Sequence, residues 1–303
     1  DRTHFYGLRS SRRQSGLKKE GPPASILSSR VNIIDRGAFF SRDRSNTAKT
    51  LENSHGVFVG VGSLGSAVSI QLARAGLGRL TLIDPDRLES PNLGRHMLGA
   101  EDLGKFKSQA MRHRLLQDLP VLDVTALDTY IEWVISQKPD IFEDVDLIII
   151  TTADWESESA LWEKKASGAK WGLIQAWSEP HTLVGHALIA PEGRFDARYL
   201  FSDRGDFRHR FTDWPDGGVV PLPACGESFI PGGSAGMNGV ATMVTQAAIR
   251  YLTTVGDVTQ WHSSVYRPDE AGVLGGRYTG PVLPEGVVQS VFERNWPKPG
   301  QNA

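Results

Sequence analysis

The sequence "VFVGVGSLG", residues 57–65, places three glycines between a short apolar run and a helical pattern. Gly60, Gly62 and Gly65 have the spacing Gly-x-Gly-x-x-Gly. Where a strand turns into a helix, such glycines let the backbone approach phosphate groups, and the helix amino-terminus favours their negative charge. Glycine turns without a ligand also occur, but this context predicts a nucleotide-binding loop.

The alternation of strand and helix continues along the chain. Short apolar runs predict strands, and segments whose apolar residues recur at helical spacing predict helices. This alternation predicts an α/β fold, a doubly wound, Rossmann-like and mostly parallel sheet. The run at 146–154 is so apolar that its strand should be central and covered on both faces. The other predicted strands span 56–61, 78–84, 121–127, 171–177 and 184–190, and the predicted helices span 63–75 (ending at Gly76), 104–119 and 235–252.

Composition restricts the class of protein. The chain has 303 residues, of which 40% are hydrophobic and 22% charged, so a sizeable core is possible. The formal net charge of −2 argues against a nucleic-acid partner, and no apolar run is long enough to span a membrane. Cys225 is the only cysteine, which excludes an intrachain disulfide and a CxxC zinc site, and fits a reducing cytoplasm.

Charged and polar residues follow the predicted strand at 78–84. Asp84 ends that strand, where a carboxylate is expected to bind ribose hydroxyls, as an NAD enzyme would also require. The residues after it favour a triphosphate, which carries more negative charge than a dinucleotide and needs fixed cations. Arg95 and Lys107 are the candidate phosphate ligands, and Asp86 and Asn92, close to them in sequence, are further candidate cofactor-binding residues. A surface cation without a ligand is the alternative for each of the two.

A further carboxylate, Asp154, follows the most apolar strand. Ligands of open α/β sheets bind at the carboxyl ends of the strands, and a carboxylate beside a triphosphate is suited to Mg²⁺. The alternative is an N-cap for a helix over 155–165, a role that is compatible with metal binding in another state.

In this order, the segments "GVGSLGS", "LIDPDRLESPNLGRH", "GKFKSQA" and "TTAD" resemble the ThiF/MoeB/HesA superfamily of adenylating enzymes, which are related to ubiquitin-activating enzymes. The resemblance implies MgATP as cofactor and adenylation of the C-terminal carboxylate of a ubiquitin-like protein. It implies a ribose ligand at Asp84, phosphate ligands at Asn92, Arg95 and Lys107, and a catalytic, metal-associated carboxylate at Asp154.

The segment "ACGESFIPGGSAGMNGV" resembles the family region in which a cysteine precedes the glycine-rich start of a late helix. It implies that Cys225 captures the acyl-adenylate as a thioester. A lone cysteine is often a small buried apolar residue, but a turn-rich loop before a helix amino-terminus favours a thiolate. The chain departs from the family in lacking zinc cysteines, in His96 where glutamine is frequent, and in Trp155 where asparagine is frequent.

The family resemblance suggests a domain organisation. We interpret 1–50 as an N-terminal arm or linker, 51–265 as the adenylation domain with a crossover loop at about 200–233, and 266–303 as a C-terminal tail.

The residues of the "NLGRH" motif, the missing zinc site and the start without methionine suggest a piece of a bacterial protein that fuses a conjugating domain to an activating domain. The expected partners are a ubiquitin-like protein with a C-terminal glycine, a conjugating enzyme or fused conjugating domain, and a second copy of the chain. A homodimer could contribute an arginine across its interface, and the unranked candidates are Arg30, Arg36, Arg42 and Arg44.

Two alternatives remain open at this level. An NAD-dependent oxidoreductase would use Asp84 but leave Arg95, Lys107 and Asp154 without a common purpose. A non-catalytic scaffold would bind a ubiquitin-like partner without turnover, and the intact set of charged residues argues against it.

Overall fold

The computed structural model describes residues 4–8, 26–30, 32–43, 45–221, 228–229, 231–254 and 259–297. The chain divides into two compact units, Asp1–Arg42 and Asp43–Ala303. In the first unit, strand β1 (His4–Leu8) pairs antiparallel with β2 (Ile26–Arg30), and a short helix α1 (Arg36–Phe39) follows. Asp35 caps that helix by accepting a hydrogen bond from the backbone of Ala38.

The second unit contains the remaining elements. Its helices are α2 (Thr47–Leu51), α3 (Ser63–Ala75), α4 (Lys107–Asp118), α5 (Ile131–Gln137), α6 (Trp155–Ala166), α7 (Ser234–Thr253) and α8 (Glu270–Val273). Its strands are β3 (His55–Val59), β4 (Arg79–Ile83), β5 (Asp123–Leu127), β6 (Leu147–Ile150), β7 (Gly172–Ser178), β8 (Val184–Ala190), β9 (Thr212–Asp213), β10 (Val220–Pro221), β11 (Ser228–Phe229), β12 (Gln260–Tyr266), β13 (Arg277–Tyr278) and β14 (Gln289–Arg294). Among the described residues, no helix is both long and apolar enough to cross a bilayer.

The centre of this unit is an eight-stranded sheet with the order β14-β12-β8-β7-β6-β3-β4-β5. The strands from β7 to β5 are parallel to one another. The strands β8, β12 and β14 continue the sheet in antiparallel pairs. The predicted Rossmann-like α/β fold is confirmed, and the antiparallel half is an addition to it.

Both faces of the sheet are covered, as the apolar run at 146–154 predicted. Alternate residues of β6 point to opposite cores: Leu147 and Ile149 pack with α3, α4 and α7, whereas Ile148 and Ile150 pack with α5 and α6. All four side chains are at most 1% exposed. A strand buried on both faces needs apolar residues at every position, which explains the continuous run.

The helix after the glycine loop begins and ends where the sequence predicted. Helix α3 spans Ser63–Ala75, and Gly76 follows it in the left-handed conformation with φ of 111°. The division of the chain at residues 50 and 265 stays a prediction. In the structure the first compact unit ends at Arg42, and β14 belongs to the same sheet as β3.

Candidate active site

A cavity of about 220 Å³ lies at the carboxyl ends of β3, β4 and β6. This edge is where open α/β sheets bind their ligands. The cavity brings together six of the residues that the sequence singled out, although they lie far apart in the chain. These residues are Gly60, Gly62, Asp84, Asp86, Lys107 and Asp154.

The glycine loop packs tightly at Gly60 and Gly65, whereas the space beside Gly62 is open. Gly60 has a φ of 83°, and a Cβ atom on it would lie 2.9 Å from the backbone nitrogen of Thr152. A Cβ atom on Gly65 would overlap the carbonyl oxygen of Gly60, whereas one on Gly62 would meet nothing within 4 Å. Gly62 also begins α3 without a side-chain cap. The first-turn N–H groups therefore have no side-chain acceptor at the cap and suit an anion.

Asp84 is buried between the loop and the segment that follows β4. Its Oδ2 accepts a hydrogen bond from the backbone of Val61 at 2.6 Å, and its Oδ1 accepts one from the backbone of Asp86 at 2.8 Å. Burial raises the pKa of Asp84, while these hydrogen bonds and the charge of Lys107 lower it. Because a carboxylate oxygen accepts more than one hydrogen bond, Asp84 can still receive ribose hydroxyls.

Lys107 has a protein partner in this site. Its Nζ lies 2.8 Å from Oδ2 of Asp86, and its backbone N–H donates to the Asp86 carbonyl at 2.8 Å. The lysine side chain is 11% exposed and that of Asp86 63% exposed. The ammonium group is thus held at the cavity wall, and a phosphate group would share it with Asp86.

Asn92 and Arg95 lie in the segment between β4 and α4, and neither lines this cavity as the structure describes it. Asn92 Oδ1 accepts from the backbone of Glu89 at 3.0 Å, within a cap of the 3₁₀ turn Ser90–Asn92. Arg95 is half-buried. The next residue, His96, is 7% exposed and contacts the glycine loop through Val61.

Asp154 is the N-cap of α6. Its Oδ2 accepts from the backbone N–H of Ser157 at 3.1 Å and from the Ser157 hydroxyl at 2.7 Å. Ala153 before it has a φ of 54°, in the left-handed region, and Asp154 itself lines the cavity. Within the described ranges, no cluster of three or more histidine, cysteine, aspartate or glutamate residues could hold a metal ion. Magnesium is commonly held by one or two carboxylates together with substrate phosphates, which is the arrangement that Asp154 fits.

One turn further along α6, Glu158 supports the same segment. It is 5% exposed, and its Oε2 accepts a hydrogen bond from Gln175 Nε2 at 2.7 Å. Further hydrogen bonds join it to the backbone of Ala153 and the side chain of Thr152. Burial and the charge of Asp154 raise the pKa of Glu158 to about 8. Sequence reasoning missed this residue, and its one signal was the four-residue spacing from Asp154.

A second cavity, of about 410 Å³, lies on the other side of the Asp154 segment. Ala153 and Trp155 line it, whereas Asp154 lines the first cavity. Four of its sixteen lining residues are aromatic, and the charged ones are two buried glutamates, an exposed aspartate and two exposed arginines. The aromatic and charged residues are Trp155, Trp177, Phe201, Phe207, Glu158, Glu179, Arg204, Asp206 and Arg210.

A family model described as "ThiF family" matches residues 35–248. The chain belongs to the ThiF family. Its relatives include the probable adenylyltransferase/sulfurtransferase MoeZ of Mycobacterium tuberculosis, 25% identical over 72% of this chain and 52% of that protein. The ATP-dependent ubiquitin transferase-like protein Cap2 of Pseudomonas aeruginosa is 28% identical over 70% of this chain and 39% of that protein. The chain thus spans about half, or less, of the length of these relatives.

Solved structures support the fold. Escherichia coli MccB superposes with a TM-score of 0.55 at 17% identity, over 85% of this chain and 71% of that chain. The family model confirms the predicted resemblance to the ThiF/MoeB/HesA superfamily, and this superposition confirms the Rossmann-like architecture.

Some of the sequence-predicted residues of this ThiF-family chain cannot be placed in the site. Cys225 and Arg44 lie outside the described residues, and Arg30 is described only as part of β2. Arg36 and Arg42 belong to the first compact unit. The guanidinium of Arg36 lies 5.2 Å from the ring centre of Phe40. The roles of these five residues stay predictions.

Proposed function

We propose that this chain catalyses ATP-dependent adenylation of the C-terminal carboxylate of a small protein, and that this protein is ubiquitin-like and ends in glycine. The observation that carries the proposal is the first cavity, where an uncapped helix amino-terminus, Asp84, Lys107 and Asp154 surround one space. The names of MoeZ, an adenylyltransferase, and Cap2, a ubiquitin transferase-like protein, support the same chemistry.

Each residue has a proposed task in the reaction. A carboxylate oxygen of the partner attacks the α-phosphorus of ATP, the bond to the β-phosphate oxygen breaks, and pyrophosphate leaves. The glycine loop and Asp84 hold the phosphates and the ribose, and Lys107 stabilises the charge that develops on the phosphates. Mg²⁺ held by Asp154 would add charge neutralisation. Arg95 and Asn92 are proposed to reach the phosphates from the adjoining segment.

The second cavity suggests how the partner's tail arrives. Ala153 and Trp155 line the second cavity, and Asp154 between them lines the first. The two cavities therefore lie on either side of this short segment of chain. A tail lying in the second cavity would end beside the nucleotide. Such positioning of two reactants accounts for much of the rate gain in a reaction of this type.

The later steps and the cellular setting are further parts of the proposal. The Cys225 sulfur would attack the acyl-adenylate and displace AMP, which leaves a thioester for a conjugating enzyme or a fused conjugating domain. We propose that the chain acts in the cytoplasm as a homodimer.

Exchange of radiolabelled pyrophosphate into ATP tests the adenylation step. We expect exchange that depends on Mg²⁺ and on a carboxylate partner. Lys107→Ala should lower the exchange rate by about 100-fold, since it removes charge from the phosphate site. Lys105→Ala is the matched control, because Lys105 is 54% exposed and pairs with Asp102. Binding of NADH without ATP would indicate an oxidoreductase, and partner binding without exchange would indicate a scaffold.

A separate experiment tests the thioester. The Cys225→Ala variant should keep pyrophosphate exchange but form no adduct with the partner that a thiol reagent cleaves. Denaturing gels with and without dithiothreitol reveal such an adduct. If the alanine variant forms the same adduct, Cys225 is not its attachment site.

A further inference from the structure

The peptide groups of the glycine loop are held by side chains from three separate segments. The Gly60 carbonyl accepts a hydrogen bond from Thr151 Oγ1 at 2.9 Å. The Val61 N–H donates to Asp84 Oδ2 at 2.6 Å, and the Val61 carbonyl lies 2.7 Å from His96 Nε2. The loop conformation that turns α3 toward the cavity therefore depends on these contacts as well as on its glycines.

The protonation state of His96 follows from its second contact. The backbone N–H of Leu98 donates to His96 Nδ1 at 3.1 Å, so Nδ1 acts as an acceptor and carries no proton. The proton of the neutral ring is then on Nε2, from which it is donated to the Val61 carbonyl. Only the neutral form of the ring can make both contacts at the same time.

We propose that His96 is a positioning residue that holds the glycine loop in its phosphate-binding conformation while its ring is neutral, so that nucleotide affinity falls in mild acid. This inference rests on the proposed function, because the ligand of the loop is taken to be ATP. Protonation places a hydrogen on Nδ1 directly opposite the Leu98 N–H, and the ring must turn away from one partner or both.

The surroundings of His96 favour the neutral form. Burial lowers the pKa of His96 below its usual value of 6.5, and the charge of Lys107 lowers it further. The hydrogen bond to Val61 and the charge of Asp102 act in the opposite direction. Because the folded pKa is lowered, the neutral ring and its contacts are present at neutral pH and above, and they are lost as the pH falls through that lowered pKa.

Two substitutions at His96 and one control distinguish the loss of the contact with the glycine loop from a general loss of stability. His96→Ala removes both hydrogen bonds, whereas in His96→Gln the amide nitrogen can donate to the Val61 carbonyl and does not titrate. His55→Gln is the control, since His55 is 6% exposed and lies at the start of β3, the end of the strand away from the loop. Its ring contacts Asp144 and Thr81.

The first measurement uses the protein without nucleotide. Amide hydrogen exchange over residues 60–65 should be about tenfold faster in His96→Ala than in the wild type at pH 8. His96→Gln and His55→Gln should exchange as the wild type does over these residues. Unchanged exchange in His96→Ala would overturn the positioning role, whatever ligand the loop binds.

The second measurement is the dissociation constant of MgATP at pH 8 and pH 5.5, by titration calorimetry. His96→Ala should bind about tenfold more weakly at pH 8. Between the two pH values the wild type should lose more affinity than His96→Gln, a comparison that cancels the titration of ATP itself. Equal losses would overturn the acid sensitivity. If the wild type binds no ATP at pH 8, the proposed function fails, and the exchange measurement still decides the role of His96.

Discussion

Two glycines of the same loop are required for different physical reasons. A methyl group on Gly65 would overlap the carbonyl oxygen of Gly60, whereas one on Gly62 would project into open space beside the cavity. We expect Gly65→Ala to lower the free energy of unfolding by about 1–3 kcal/mol, as overpacking does. Gly62→Ala should change stability by less than about 0.5 kcal/mol yet weaken MgATP binding, because the methyl group occupies space near the phosphates.

Urea unfolding and calorimetric titration of both variants check this prediction. Gly272→Ala is a control, since a Cβ atom there also meets nothing within 4 Å and Gly272 does not line the cavity. Wild-type MgATP affinity in Gly62→Ala would contradict the placement of the phosphates.

At the residue scale, the sequence singled out candidate site residues but not their partners. The sequence favoured Lys107 as a phosphate ligand, and the structure shows it paired with Asp86. Glu158 and His96 were not recognised as parts of the site. Their importance comes from burial and from contacts with Gln175 and Val61, which no local pattern reveals.

At the scale of an element, Asp154 combines a structural contact with a proposed metal role. As the N-cap of α6 it accepts a hydrogen bond from the backbone of Ser157. Asparagine caps helices about as well as aspartate but carries no charge. Alanine neither caps a helix nor carries a charge. We therefore expect Asp154→Asn to keep the wild-type stability and Asp154→Ala to lose about 1 kcal/mol.

Both Asp154 variants should need higher Mg²⁺ concentrations for pyrophosphate exchange, if the charge serves the metal. Thermal unfolding measures the first effect, and exchange rates across a Mg²⁺ titration measure the second. An asparagine variant with an unchanged Mg²⁺ dependence would restrict Asp154 to capping.

At the scale of the whole molecule, the C-terminal strand is part of the sheet. β14 pairs with β12, and Trp296 after it packs edge-on against Trp162 with ring centres 5.6 Å apart. The indole nitrogen of Trp296 donates to the Gln260 carbonyl at 2.8 Å. Trp296→Ala should therefore lower the free energy of unfolding by about 2–3 kcal/mol. Val282→Ala, at a residue that is 90% exposed, should change it by less than about 0.5 kcal/mol.

Denaturant unfolding of these two variants decides whether the tail contributes to the fold. Equal midpoints for Trp296→Ala and the wild type would mean that the segment after β13 adds little to stability.

The sequence by itself determined the features that depend on a short window of chain. The bounds of α3 and β8 agree with the apolar periodicity, and Gly76 ends α3 because glycine adopts a left-handed conformation without strain. The order of glycines, Asp84 and Asp154 also identified the family, since each residue follows a strand whose apolar run is visible locally.

Only the tertiary structure decided that β12 and β14 extend the sheet in antiparallel pairs, and which hydrogen bonds hold the site. The antiparallel β7–β8 pair, in contrast, follows from the sequence, because the connection between the two strands is too short for a crossover to a parallel strand. The Gly60 carbonyl is held by Thr151, 91 positions later in the chain. Contacts of this kind depend on how strands and helices pack together. Packing joins residues that are far apart in the sequence, and no periodic pattern in the sequence indicates which residues will meet.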